Sequence, residues 1–141
     1  MTTTSDDTDT LIRQLLTDTH TWAVVGLSTS RERAAYGVAA FLQSHGKRIV
    51  PVHPRAETVH GEQGYRSLAE IPFDVDVVDV FVNSGQAGGI ADQAVHIGAR
   101  AVWFQLGVVD HDAYRRVREA GLAMVMDHCP AIEWPRLGPS T

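Results

Sequence analysis

Apolar residues in this chain follow two alternating patterns: short, mostly unbroken runs, and stripes at helical spacing. The runs cover residues 22–27, 49–52, 75–82, 101–104 and 122–126. Runs of that length and character suit strands buried on both faces. Between them lie three stripes: Ala35, Val38, Ala39 and Leu42; then Ala87, Ile90, Ala94 and Ile97; then Ala113, Val117 and Ala120. Another precedes the first run, with Leu11, Ile12, Leu15 and Leu16 on one face and Asp9 or Thr10 as its N-cap. Asp110 is placed to cap the last. Three stripes stop at a glycine, Gly46, Gly98 and Gly121, where the residue after a helix often needs positive φ. Strands alternating with helices imply βαβ units, so the expected fold is α/β with five parallel strands.

Two stretches depart from this alternation. Residues 54–72 read as a loop with a short helical turn from Ser67. The segment after Cys129 holds Pro130, Pro135 and Pro139 and is expected to wrap the outside. Residues 1–8, rich in Thr and Asp, read as a loose tail. One domain over 9–137 and a short tail over 138–141 complete the organisation.

Composition narrows the functional classes. A length of 141 residues fits one domain, and an apolar fraction of 44% supplies a core. Twelve Lys and Arg against 17 Asp and Glu leave a net charge of −5. That balance argues against a broad nucleic-acid or anionic-membrane surface and leaves room for a local basic pocket. A single cysteine, Cys129, excludes an intramolecular disulfide and makes the cytoplasm the default compartment. The polar start lacks the basic-then-apolar order of a secretory signal, and no apolar run approaches the ~20 residues of a membrane helix.

In open parallel sheets, ligands bind outside the carboxyl ends of the strands. Those ends are polar here. Gly26, Leu27, Ser28, Thr29, Ser30 and Arg31 follow the first run, and His53, Pro54 and Arg55 the second. Asn83, Ser84 and Gly85 follow the third, Gln105, Leu106 and Gly107 the fourth, and Asp127, His128 and Cys129 the fifth. The first loop carries the sharpest signal. Gly26 permits close backbone approach, Ser28 and Ser30 offer hydroxyls, Arg31 and Arg33 supply cations, and the next helix points its free N–H groups at the loop. Such a combination suits a phosphate or pyrophosphate. The alternative is a plain strand-to-helix turn with solvated arginines.

Other chemistry has less support. Ser28 and Arg31 replace the second and third glycines of a dinucleotide fingerprint, and no acid ends the second strand to bind a ribose, so NAD is disfavoured. There is no Walker-type loop. Seven histidines include no H-E-x-x-H and no thiol pair, so no metal is expected. His53 and His128 both end strands and could meet, or could serve as hydrogen-bonding loop residues. Cys129 beside His128 is either a nucleophile with its base or an inert buried thiol. Gly85, Gly88 and Gly89 either admit a ligand or mark a frayed helix start.

Taken together, several segments carry a family resemblance. They are residues 24–28, Glu32-Arg33 with Tyr36, Pro51-Val52-His53-Pro54, residues 77–81, residues 101–108 and residues 125–129. In order and spacing this set resembles the small bacterial CoA-binding proteins, themselves similar to the CoA-binding domain of the succinyl-CoA synthetase α subunit. The resemblance spans roughly residues 10–136. It implies a three-layer Rossmann-like fold, a sheet of order 3-2-1-4-5 and coenzyme A or an acyl-CoA along the strand ends. It further implies that Gly26, Ser28, Ser30 and Arg33 hold the phosphates, with Leu27, Arg31 and Tyr36 among the cofactor-binding residues. His53, Pro54 and Arg55 would lie near the adenosine, Val82, Asn83 and Ser84 across from it, and Gln105, Leu106 and Gly107 beside the adenine or pantetheine arm.

One departure bears on affinity. Family members often carry Arg-Arg-Ser where this chain has Asn83-Ser84-Gly85. Phosphate contacts then rest on Arg31, Arg33 and Arg55, or binding is weaker. The synthetase's phosphohistidine region is also missing, so the expected role is binding without catalysis, as a homo-oligomer or with an enzyme partner subunit. The rival readings are an NAD(P)-type nucleotide-dependent enzyme and an interaction subunit with a vestigial pocket.

Overall fold

A computed structural model describes the backbone of residues 4–139 and the side chains of 7–139. Five strands form one sheet: β1 (Thr21–Val25), β2 (Arg48–Val52), β3 (Val77–Val80), β4 (Ala101–Phe104) and β5 (Ala123–Val125). All four pairings are parallel. The flanking helices are α1 (Thr4–Asp18), α2 (Ala34–Ser44), α3 (Ser84–His96), α4 (His111–Glu119) and α5 (Pro130–Leu137). No helix among the described residues is long and apolar enough to cross a membrane.

The chain therefore has the five parallel strands the apolar runs predict and the three-layer α/β architecture the resemblance implies. Successive strand residues point to opposite faces. Trp22, Val24, Val77, Trp103 and Val125 meet the layer of α1, α2 and α5. Ala23, Val25, Val78, Val80, Val102 and Phe104 meet α3 and α4. The Trp22 and Trp103 rings pack tilted, with centroids 5.5 Å apart. Gly46, Gly98 and Gly121 take the positive φ expected of helix stops, at 89°, 77° and 91°.

Counted along the chain, the sheet order is 2-1-3-4-5, so β3 pairs with β1. An order of 3-2-1-4-5 puts a strand outside β2, and a single residue occupies that place. Tyr65 donates its N–H to Pro51 O and accepts from His53 N–H, both at 3.0 Å, as an isolated parallel bridge. The connection from β2 makes this bridge, turns through a 3-10 segment at Leu68–Glu70, and crosses to the far side of β1.

Both chain ends differ from their sequence reading. Helix α1 starts at Thr4, inside the stretch expected to be a loose tail, while residues 1–3 lie outside the described residues. Asp7 near its start is favoured by the helix dipole. Asp9, expected as N-cap, instead pairs with Arg136 of α5 at 2.8 Å. The proline-bearing segment after Cys129 does not merely wrap the outside: it forms α5, and its Trp134 and Leu137 are buried. Pro130 stands at the helix start, where its missing N–H is no loss.

Two polar features lie within the packed layers. At the amino ends of the strands, Lys47 donates to Leu16 O at 2.7 Å and to Thr19 O, closing the carbonyl end of α1. Asp76 accepts from His20 N–H and Thr21 N–H at 2.8 and 3.0 Å. In the sheet centre, Asp79 is fully buried between Val24 and Trp103, and neither carboxylate oxygen has a hydrogen-bond partner. Burial pushes its carboxyl well above the usual range.

Candidate functional site

The order 2-1-3-4-5 puts the reversal of strand order between β1 and β3, which is where a crevice opens in such sheets. A cleft of about 980 Å³ lies there, reaching the carboxyl ends of β1, β2, β3 and β4. Its floor is the β1 end. Gly26 adopts φ +104° and donates to Val52 O at 2.8 Å. A Cβ at Gly26 would stand 3.2 Å from Phe81 Cβ, so a side chain would press on the end of β3.

Of the residues nominated from sequence, eleven line this cleft: Gly26, Ser28, Ser30, Arg33, His53, Pro54, Arg55, Val82, Asn83, Leu106 and Gly107. The other five do not. Leu27 is buried in the core on the α1, α2 and α5 side. Arg31 is exposed off the lining. Tyr36 packs its ring on His60, centroids 4.3 Å apart. The Ser84 hydroxyl donates to Gly107 O and accepts from Val109 N–H, bracing the loop after β4. Gln105 is buried behind that loop, its Oε1 without a hydrogen-bond partner. His128 and Cys129 also lie off the lining, so the strand-end histidines are not brought together there. Cys129 is buried at the start of α5.

Two walls of the cleft escaped the sequence reading. Gln86, Ile90 and Gln93 line it from successive turns of α3, and Arg66, Ser67 and Leu68 face them. Spacing of 86, 90 and 93 is a helical stripe, but its two glutamines hid it among polar residues. Arg66 and Ser67 reach the strand ends because Tyr65 bridges to β2, a pairing no local pattern announces.

Electrostatically the cleft mouth is mixed. Arg33 stands at the N-cap of α2 with no carboxylate partner among the described residues. Its neighbours at the rim are paired: Arg55 with Glu57 at 3.6 Å and Arg66 with Glu70 at 3.5 Å. The start of α3 is capped by Asn83, whose side chain accepts from Gln86 N–H at 3.1 Å. Hydroxyls, helix starts and arginines thus converge where a phosphate-bearing ligand could sit. The lower walls, with Val25, Val52, Leu68 and Val108, are apolar.

The chain is similar in sequence and fold to known proteins. Residues 20–135 match the family described as CoA binding domain. The uncharacterized protein YneT of Bacillus subtilis (strain 168) is 35% identical over 118 residues, 84% of this chain and 87% of that protein. The solved structure of a hypothetical protein from Pyrococcus horikoshii OT3 superimposes with a TM-score of 0.87 at 38% identity, covering 92% of this chain and 91% of that one. The alpha subunit of an ADP-forming acetate–CoA ligase II from Pyrococcus furiosus is 36% identical over 61 residues, 43% of this chain and 13% of that subunit.

Proposed function

The chain belongs to the CoA-binding domain family, and we propose that it holds coenzyme A or an acyl-CoA in the cleft at the carboxyl ends of β1–β4, without a reaction of its own. The observation that carries this reading is the junction of Gly26, which keeps the floor open, with the unpaired Arg33 at the mouth. A phosphate group placed there meets a cation and the N–H groups at the start of α2, while the apolar walls accept the uncharged parts of the ligand. Arg55 and Arg66 are the further cations available at the rim. No pair of lining residues forms a nucleophile with its base, and Cys129 is buried away from the cleft. A buried single thiol also suits the reducing cytoplasm, where we place the protein.

Thermal unfolding in the presence of coenzyme A tests the proposal. Ligand at about 100 times Kd adds ~2.7 kcal/mol of stability. Native mass spectrometry of the purified protein is expected to show the bound mass directly. A folded sample that shows no shift at millimolar coenzyme A overturns the reading.

A further inference from the structure

Donors at and beside the cleft mouth are engaged by carboxylates of the same chain: Ser30 and Arg55 line the cleft, and Thr29 lies between the lining residues Ser28 and Ser30. Thr29 donates both its backbone N–H and its hydroxyl to Glu57 Oε1, each at 3.3 Å. Arg55 Nε stands 3.6 Å from that same oxygen. Ser30 donates its hydroxyl to Glu32 Oε2 at 3.0 Å. Hydrogen bonds from the backbone at Glu32 and from Ser30 hold the Glu32 carboxyl below its usual range, so it is the anion that faces the loop.

The Glu57 segment is fixed rather than incidental. A Cβ at Gly64 would fall 2.2 Å from Glu57 O, so only glycine lets these two strands of the loop lie together. Val59 and Glu62 exchange backbone hydrogen bonds at 3.0 Å, and His60 Nε2 is hydrogen-bonded to Tyr36 O of α2 at 2.8 Å. The loop after β2 is thereby fastened to the helix that follows the loop after β1, and Glu57 is carried to Thr29.

We propose that Glu32 and Glu57 are resident anions that compete with the ligand's phosphates for Thr29, Ser30 and Arg55, and so make the cleft selective for charge. This rests on the phosphate-bearing ligand proposed above. Binding exchanges one anion for another. A ligand carrying several phosphate charges displaces a single carboxylate, because it brings more charge to the same donors. A ligand with one charge or none leaves the carboxylates in place. Displaced, Glu32 is exposed and Glu57 half-buried, so both remain within reach of water. Arg33, with no such competitor, makes the first contact.

Calorimetric titration of wild type, Glu57→Gln, Glu32→Gln and the double variant tests this with coenzyme A, inorganic pyrophosphate and adenosine at one salt concentration. Glutamine keeps the shape and one acceptor oxygen while removing the charge. Glu57→Gln is expected to bind coenzyme A and pyrophosphate roughly tenfold tighter, the size of one charge-assisted hydrogen bond freed from competition. The double variant tightens further, and adenosine is unchanged in every variant. Coenzyme A bound equally or more weakly by variants with wild-type circular dichroism and melting overturns the inference. So does adenosine tightening by the same factor, which marks a reshaped loop. Wild type failing to bind coenzyme A at millimolar concentration overturns the functional reading itself, and this inference with it.

Discussion

The two ends of the sheet treat polar groups in opposite ways. At the amino ends, buried polar groups are closed into a lock. Thr19 donates to Leu15 O at 2.5 Å and accepts from the Trp22 indole at 2.8 Å. Lys47 satisfies carbonyls at the end of α1, Asp76 holds two backbone amides, and Arg100 joins Asp76 at 3.8 Å while donating to Asp18 O at 3.2 Å. At the carboxyl ends the polar groups are left available. Arg33 has no carboxylate partner among the described residues, the Thr29 N–H and hydroxyl are held by Glu57, and the Ser30 hydroxyl is held by Glu32. The first arrangement binds one helix to the sheet. The second leaves interaction energy for something from outside, at some cost in the stability of that end.

The largest effect should come from the locked end. Lys47→Met keeps the apolar stem but strands two helix-end carbonyls, and urea unfolding is expected to show a loss of about 2–4 kcal/mol. At the open end Gly26→Ala combines a left-handed φ with the contact at Phe81. It is expected to cost about 1–3 kcal/mol and to weaken coenzyme A binding as well, which Lys47→Met should not do.

Asp79, midway between the ends, belongs to neither arrangement. Replacing it by Val removes a buried acid without partners, and stability at pH 7 is expected to rise by about 1–3 kcal/mol. Because folding raises the pKa of this carboxyl above 3.8, its own contribution to stability is greatest below that pH and is lost as the pH climbs toward the folded value. The advantage of Asp79→Val over wild type therefore grows from pH 4 to pH 7, as paired melts at the two pH values would record. Arg33→Ala should move stability least, by under about 0.5 kcal/mol, while lowering coenzyme A affinity roughly tenfold. A variant that lost both equally would erase the distinction between the two ends.

Much of this was legible in the residues. Apolar runs located all five strands, and Gly46, Gly98 and Gly121 marked three helix stops, because both signals are local. Gly26, Ser28, Arg33 and His53 could be placed at one rim because parallel strands all end on the same side. What escaped depends on pairings between distant segments. Nothing near residue 77 says that β3 lies against β1, and nothing near Tyr65 announces its bridge to Pro51. The Arg66–Ser67 wall went unread for that reason. Three prolines argued against a core helix after Cys129, yet Trp134 and Leu137 supply the burial that holds α5 in place.

Tyr65 has a consequence for how copies of this protein meet one another. A bare sheet edge is a template on which a second chain can add a strand. Along the outer side of β2, Pro51 offers no N–H at all, and its carbonyl together with the His53 amide is taken by Tyr65. One bridging residue and one proline thus blunt that edge over its carboxyl half. Strand β5, at the opposite margin, is three residues long. Both margins are poor seeds for edge-to-edge aggregation, so the sheet stays finite without being closed into a barrel.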